Sequence, residues 1–295
     1  MRKLLLVAFA ALVLAGAVVA SLAYWPISET VQLDEKTGDA GRGAYLARMA
    51  GCIACHTDSA NNGAPLAGGV ALPTEFGTFY SPNLTTDVEE GIGSWSRKDF
   101  ARAVRQGVSP EGKPYYPAFP YPFYRRLTDQ DIADLWAAFQ TVPPVATPSR
   151  EQEVPFPFSF RDGVKLWRAV FLKPGPFKPE PGKSERWNRG RYIVEGPAHC
   201  GACHTPRNFA GARQVELKLH GAEDLPDGDV APPITAEALL DNGWSRQTLA
   251  YALKTGVLPD GDVFGGSMGE VVRDGTAFLT DEDLSAIATY LLDQE

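Results

Sequence analysis

The sequence predicts a mainly α protein: two small helical domains in tandem, joined by a proline-rich linker and preceded by an N-terminal membrane helix. Three observations predict it. The chain opens on a long uncharged apolar run, its remainder reads as two copies of one pattern, and the stretch between the copies is rich in proline. A length of 295 residues leaves room for about two domains. The formal charge of −8 is scattered rather than blocked, and no basic patch suggests nucleic-acid binding. With 29 glycines and 24 prolines, long loops between short helices are expected, and alternating strand-like runs are scarce.

The N-terminus, MRKLLLVAFAALVLAGAVVASLAYWP, places Arg2 and Lys3 ahead of an uncharged run from Leu4 to Trp25. That is the pattern of an export signal. It also reaches the length of about 20 apolar residues that a bilayer span needs. Tyr24 and Trp25 suit the aromatic belt at the far interface. Residues 1–25 therefore read as a signal or membrane anchor, with the bulk of the chain on the periplasmic side of the bacterial inner membrane. Small residues near Ala20 and Ala23 would suit a peptidase, so a cleaved signal peptide is the alternative reading.

All 4 cysteines fall in two copies of one pentapeptide, CIACH (Cys52, Cys55, His56) and CGACH (Cys200, Cys203, His204). C-x-x-C-H is the attachment signature of c-type haem. The two thiols add to the haem vinyl groups, and the adjacent histidine becomes the proximal iron ligand. A redox dithiol would call for a βαβ context, which the pattern lacks. Structural zinc does not call for a histidine directly after each second cysteine. Two covalently attached haem c groups are the expected cofactors.

The repeat runs well beyond these motifs. RGAYLARMAGCIACHT (42–57) faces RGRYIVEGPAHCGACHT (189–205), with one extra residue in the second copy. SPNLT (81–85) faces APPIT (231–235), and WSRKDFARAVRQGVSPEG (95–112) faces WSRQTLAYALKTGVLPDG (244–261) without a gap. LTDQDIADLWAAF (127–139) faces LTDEDLSAIATYL (279–291). The domains expected are 38–143 around haem 1 and 187–295 around haem 2, with a linker over 144–186. In each copy a first helix carries Gly43 or Gly190, letting the last helix cross it closely. That last helix starts on a capping box, Thr128-x-x-Asp131 or Thr280-x-x-Asp283. It buries Ile132, Leu135, Trp136 and Phe139, or Leu284, Ile287, Ala288 and Leu291, on one stripe. Within the linker, a short helix around 160–172 presents Phe160, Val164, Trp167 and Phe171 on one face, most simply for packing within the chain.

The copies differ where an axial ligand would sit. Met268 lies 24 residues after Trp244, in what reads as a glycine-rich loop, where its thioether can complete His/Met ligation of haem 2. The same count from Trp95 lands on Phe119, which cannot bind iron. The chain has 3 methionines, Met1 in the leader, Met49 on the approach to Cys52, and Met268. Candidate substitutes at haem 1 are Lys113, Tyr115, Tyr116, Tyr121, His199 and His220. The sequence favours an open or weakly ligated iron beneath Phe119. The iron-ligand set read here is thus His56, His204 and Met268.

GAYLARMAGCIACHT, FGTFYSPNLTTDVEEGIGSWS, YYPAFPYPFYRRLTDQDI, GACHTPRN and WSRQTLAYALKTG together resemble the multihaem cytochrome c subunits of membrane-bound bacterial alcohol, aldehyde and sugar-acid dehydrogenases. The resemblance implies two class I cytochrome c-like domains in tandem, and a dehydrogenase subunit as electron donor. The acceptor would be a quinone, cytochrome or oxidase. Those subunits usually place a haem-ligating methionine where Phe119 stands, and the alcohol dehydrogenase subunits typically have three haem motifs. The expected function is a membrane-tethered dihaem c-type cytochrome that transfers electrons to the respiratory chain and is not an enzyme by itself. The alternative is a haem enzyme using an open haem 1 on peroxide, a sulfur compound or a nitrogen oxide, with Arg97, Arg102 and Arg105 near the distal face.

Overall fold

The computed structural model describes residues 2–24, 27, 33–172, 176–223, 225 and 228–294. Its first helix, α1 (Arg2–Tyr24), is apolar over Arg2–Ser21 and long enough to cross a membrane; none of that stretch is buried in the rest of the molecule. Trp25 of the expected aromatic pair lies outside the described residues.

The first repeat contains α2 (Ala40–Met49), α3 (Cys52–His56), a two-stranded hairpin β1 (Ala71–Thr74) and β2 (Gly77–Tyr80), α4 (Arg97–Gln106), α5 (Tyr121–Tyr124) and α6 (Asp129–Phe139). The strands pair antiparallel, Ala71 opposite Tyr80 and Thr74 opposite Gly77. After α7 (Val164–Phe171), the second repeat holds α8 (Glu185–Glu195), α9 (Ala236–Asp241), α10 (Arg246–Thr255), α11 (Gly266–Asp274) and α12 (Asp281–Leu291).

Sequence identity between the copies becomes identity of local bonding. WSRKDF and WSRQTL each open a helix on a serine cap: Ser96 pairs with Asp99, and Ser245 with Thr248, in reciprocal capping boxes. Both helices stop on a left-handed glycine, Gly107 at φ 62° and Gly256 at φ 81°. The close helix crossings also hold. A Cβ on Gly43 would fall 1.9 Å from the Asp134 carbonyl oxygen, and one on Gly190 would fall 1.9 Å from that of Ala286. Only glycine lets α2 lie on α6, and α8 on α12, at that separation.

The capping boxes of the last helices are unequal. Thr128 and Asp131 exchange both bonds at α6. At α12, Thr280 accepts from the Asp283 amide, but the Asp283 carboxylate turns instead to Arg189 (2.7 Å) and to the Tyr45 hydroxyl (2.7 Å). The Thr280 amide donates to Tyr45 Oη at 3.2 Å, so a residue of the first repeat completes the cap.

The proline-rich segment wraps rather than hangs. Glu153 exchanges two backbone bonds with Thr78 on β2, and Asn83 donates to the carbonyls of Val145 (2.7 Å) and Thr147 (3.0 Å). Farther on, α7 reaches both repeats: Arg168 donates to the Gln106 carbonyl, and Trp167 Nε1 to that of Ala210 at 2.9 Å. Of the apolar face expected here, Val164 is buried and Trp167 and Phe171 are half-buried, whereas Phe160 lies ahead of the helix and is exposed. Buried side chains of α2, α6, α8 and α12 form one continuous hydrophobic cluster.

Candidate functional site

Both C-x-x-C-H motifs follow a residue in the left-handed region, Gly51 (φ 68°) and His199 (φ 40°). CIACH then makes one α-helical turn, whereas Cys200–Ala202 makes a 3-10 turn. None of the four cysteines is in a disulfide, and burial pushes Cys52 and Cys200 up to about 12. Such thiols are poor nucleophiles, which argues against a redox dithiol. Among the described residues no group of three or more His, Cys, Asp or Glu could hold a metal ion.

The imidazoles are oriented from behind. His56 Nδ1 meets the Pro82 carbonyl oxygen at 2.8 Å, and His204 Nδ1 meets that of Pro232 at 2.7 Å. A carbonyl acceptor fixes the Nδ1–H tautomer and leaves Nε2 as the free donor for a metal. Burial lowers the His56 pKa to about 4 and lowers that of His204, against the pull of each carbonyl, so both rings are neutral at pH 7.

The supporting loops are copies of each other. The Gly68 amide donates to the His56 carbonyl (2.8 Å), and Gly221 to that of His204 (3.0 Å). Thr57 and Thr205 hydroxyls accept from the amides of Leu66 and Leu219, both at 3.1 Å. Those two leucines are buried at φ 60° and 65°, a conformation that bulky residues adopt only under constraint. Neither the proline carbonyls nor these leucines were expected from the motifs, although SPNLT facing APPIT held the signal for the first.

Met268 is not in a loop. It occupies the first turn of α11 and packs partly buried against the hydrophobic core. The adjoining Ser267 is held by Asp229, which accepts from its amide (3.0 Å) and hydroxyl (2.8 Å), so the turn presenting the thioether is tied to the loop after His204. The preceding turns match: Tyr115 N–H donates to the Gly107 carbonyl, and Phe264 N–H to that of Gly256, so the two copies stay in one register as far as these residues.

Phe119 stands among Tyr115, Tyr121 and Tyr124, at centroid distances of 6.0, 6.3 and 5.7 Å. Burial pushes Tyr115 up to about 12, against the charge of Arg161, and raises Tyr121; neither supplies a phenolate at neutral pH. Tyr116 donates its hydroxyl to the Phe158 carbonyl at 2.8 Å. Lys113 and His220 are exposed. His199 does enter the first repeat, but beside Ala50 and Gly51, ahead of Cys52. Met49 is buried in the core. Of the three arginines considered, Arg97 donates to the Lys36 carbonyl (2.7 Å) and Arg105 pairs with Asp129 (2.6 Å). Arg102 is buried beneath the Ser109–Gly112 turn.

Helices gathered around two such motifs, each with its histidine held tautomerically correct, define a carrier of covalently attached haem. The cytochrome c family model matches residues 40–139. A dihaem c-type cytochrome of Cereibacter sphaeroides is 39% identical over 99% of this chain and 98% of its own length. The cytochrome c subunit of a quinone alcohol dehydrogenase from Gluconacetobacter polyoxogenes is 41% identical over 85% of this chain, and the fructose dehydrogenase cytochrome subunit of Gluconobacter japonicus is 42% identical over 85%. The chain spans 54% and 51% of those two, about half the length of such subunits. The chain belongs to the cytochrome c family. The haem fits the donor set at both motifs: a pair of cysteines outside any disulfide, a neutral imidazole with Nε2 available, and, in the second repeat, a thioether at the matched position.

Proposed function

We propose that the protein is a dihaem electron-transfer subunit. Cys52, Cys55 and His56 hold haem 1; Cys200, Cys203, His204 and Met268 hold haem 2. The two units span 38–143 and 187–295, with 144–186 strapping them together and α1 as a membrane tether on the periplasmic side. The donor is a dehydrogenase, by similarity to the cytochrome subunits named above, and the acceptor is a quinone, cytochrome or oxidase. The observation that carries this reading is the matched pair of bonds, His56 to Pro82 and His204 to Pro232. When bound, the haem supplies a one-electron centre whose potential the protein sets through its axial ligand and burial. The protein itself fixes both imidazole rings and keeps them neutral. The alternative use of haem 1 as a catalytic centre finds little support at Arg97 and Arg105, which are committed elsewhere.

Intact mass tests the count. The purified protein should carry two haems, and Cys52→Ala/Cys55→Ala and Cys200→Ala/Cys203→Ala should each remove one; a mass with a single haem overturns the reading. The axial ligands have their own test. Carbon monoxide should bind one haem of the dithionite-reduced protein and two in Met268→Ala, and Met268→Ala should lower the potential of one haem. Phe119→Met should suppress binding at the first site and raise its potential, since thioether ligation favours the reduced iron. No carbon monoxide binding to the unmodified protein would mean that haem 1 has a strong sixth ligand.

A further inference from the structure

The repeats meet through contacts that come in matched pairs. Tyr45 donates to Asp283, and its counterpart Tyr192 donates to Asp131, the counterpart of Asp283. Arg126 pairs with Glu195, while their counterparts, Phe278 and Arg48, stack with the guanidinium 4.1 Å from the ring centroid. Exchanging the repeats turns each contact into the other, so the interface has an approximate two-fold axis.

A residue on such an axis faces its own counterpart. Here those residues are Gly51 and His199, each immediately before the first cysteine of its motif. A Cβ built on Gly51 would stand 3.6 Å from His199 Nε2. The imidazole lies against Phe123 (5.9 Å) and Tyr124 (5.8 Å), beside the Ala50 backbone, whose carbonyl accepts from the Tyr124 hydroxyl. Two histidines would crowd this point, and a glycine on one side makes room for one. Histidine also occupies a left-handed backbone that its counterpart fills with glycine at no steric cost. A non-glycine residue in that conformation carries backbone strain, which the surrounding structure must hold in place. From Cys200, a peptide bond leads to His199, its ring to Ala50, and the chain through Gly51 to Cys52.

We infer that His199 is the positioning residue that fixes the first haem-attachment motif against the second, and so sets the spacing and relative orientation of the two haems. This rests on the two-haem reading above. The experiment uses the full holoprotein. Mass counts the haems, dipolar coupling between the ferric haems in electron paramagnetic resonance reports their separation, and flash reduction reports the rate of interhaem equilibration. His199→Gly relieves the left-handed backbone, so both haems should be retained. The distribution of couplings should broaden and interhaem equilibration should slow relative to the unmodified protein, since a supporting contact that holds the geometry is lost. His199→Gln, whose amide still reaches Ala50, should restore most of both. Should the glycine variant fail to fold, His199→Asn, which tolerates the same backbone but is shorter, carries the same expectation. Unchanged coupling and rate in the shortened variant, or a loss that glutamine does not restore at all, overturns the inference. Two haems with unchanged coupling would sink this inference alone; a single haem would sink the two-haem reading with it.

Discussion

Gly43→Ala and Gly190→Ala should each lower the melting temperature by roughly 5 °C, the shift that about 3 kcal/mol gives in a chain this long. Helix propensity argues the other way, since alanine in place of glycine favours an isolated helix by about 1 kcal/mol. Packing decides the sign. The new methyl carbon would sit 1.9 Å from a backbone oxygen of the facing helix, Asp134 or Ala286, and 2.8 Å from the Cβ of Ala138 or Tyr290. No rotamer relieves a clash between Cβ and backbone, so the helices must part along their length. Overpacking a core commonly costs 1–3 kcal/mol, roughly, and a backbone clash lies at the upper end or beyond. Gly41→Ala is the control on the same helix: its Cβ would meet only the end of the Asp39 side chain at 3.3 Å. Thermal unfolding followed by helix signal should separate the three. A Gly43→Ala protein as stable as Gly41→Ala would show that α2 and α6 do not cross as described.

These glycines were legible because their reason is local, a small residue repeated at one place on one helix in two copies. The motif cysteines and histidines were legible for the same reason. Other features were out of reach for a physical reason. The acceptors that orient His56 and His204 are backbone carbonyls, and a carbonyl has no residue-type signature; only the proline position, twice repeated, pointed to it. Asp283 looked like half of a capping box, but its carboxylate is claimed by Arg189 and by Tyr45, a residue 238 positions away. Local pattern cannot register such a competitor. The glycines flanking Met268 suggest a loop, yet Gly265 is the N-cap of α11 and Gly266, at φ 50°, its first residue. His199 was weighed as an iron ligand because histidine ligates iron; its place facing Gly51 emerges only when the two repeats are seen face to face.

Glu195→Gln should cost about 3 kcal/mol at pH 7 and almost nothing near pH 2. The Glu195 side chain is 9% exposed, and burial alone would raise its pKa. Hydrogen bonds from Lys218 (2.8 Å) and the Tyr290 hydroxyl (2.7 Å), with the charges of Lys218 and Arg126, overcome burial and hold the carboxyl at about 2 rather than 4.5. A folded-state pKa below the unfolded one stabilises the protein above the unfolded value, and that stabilisation is lost as pH falls through the folded value. The gap corresponds to about 3 kcal/mol at 1.36 kcal/mol per unit, the low end of what breaking a buried ion pair costs. Lys218 is half-exposed and will recover part of its solvation. Urea denaturation from pH 7 to pH 2 is the measurement. Other depressed carboxyls, Asp134 and Asp283 among them, titrate in both proteins, so the difference between the curves isolates Glu195. That difference should close between about pH 4.5 and pH 2; parallel curves would refute the ion pair. The two-fold relation sharpens the test. Glu195 and Arg126 occupy the places that Arg48 and Phe278 occupy on the other side of the axis. Removing the cation–π contact by Arg48→Ala should cost only about 1 kcal/mol, at every pH in that window. Acid should therefore loosen the contact between the repeats from the Glu195 side first.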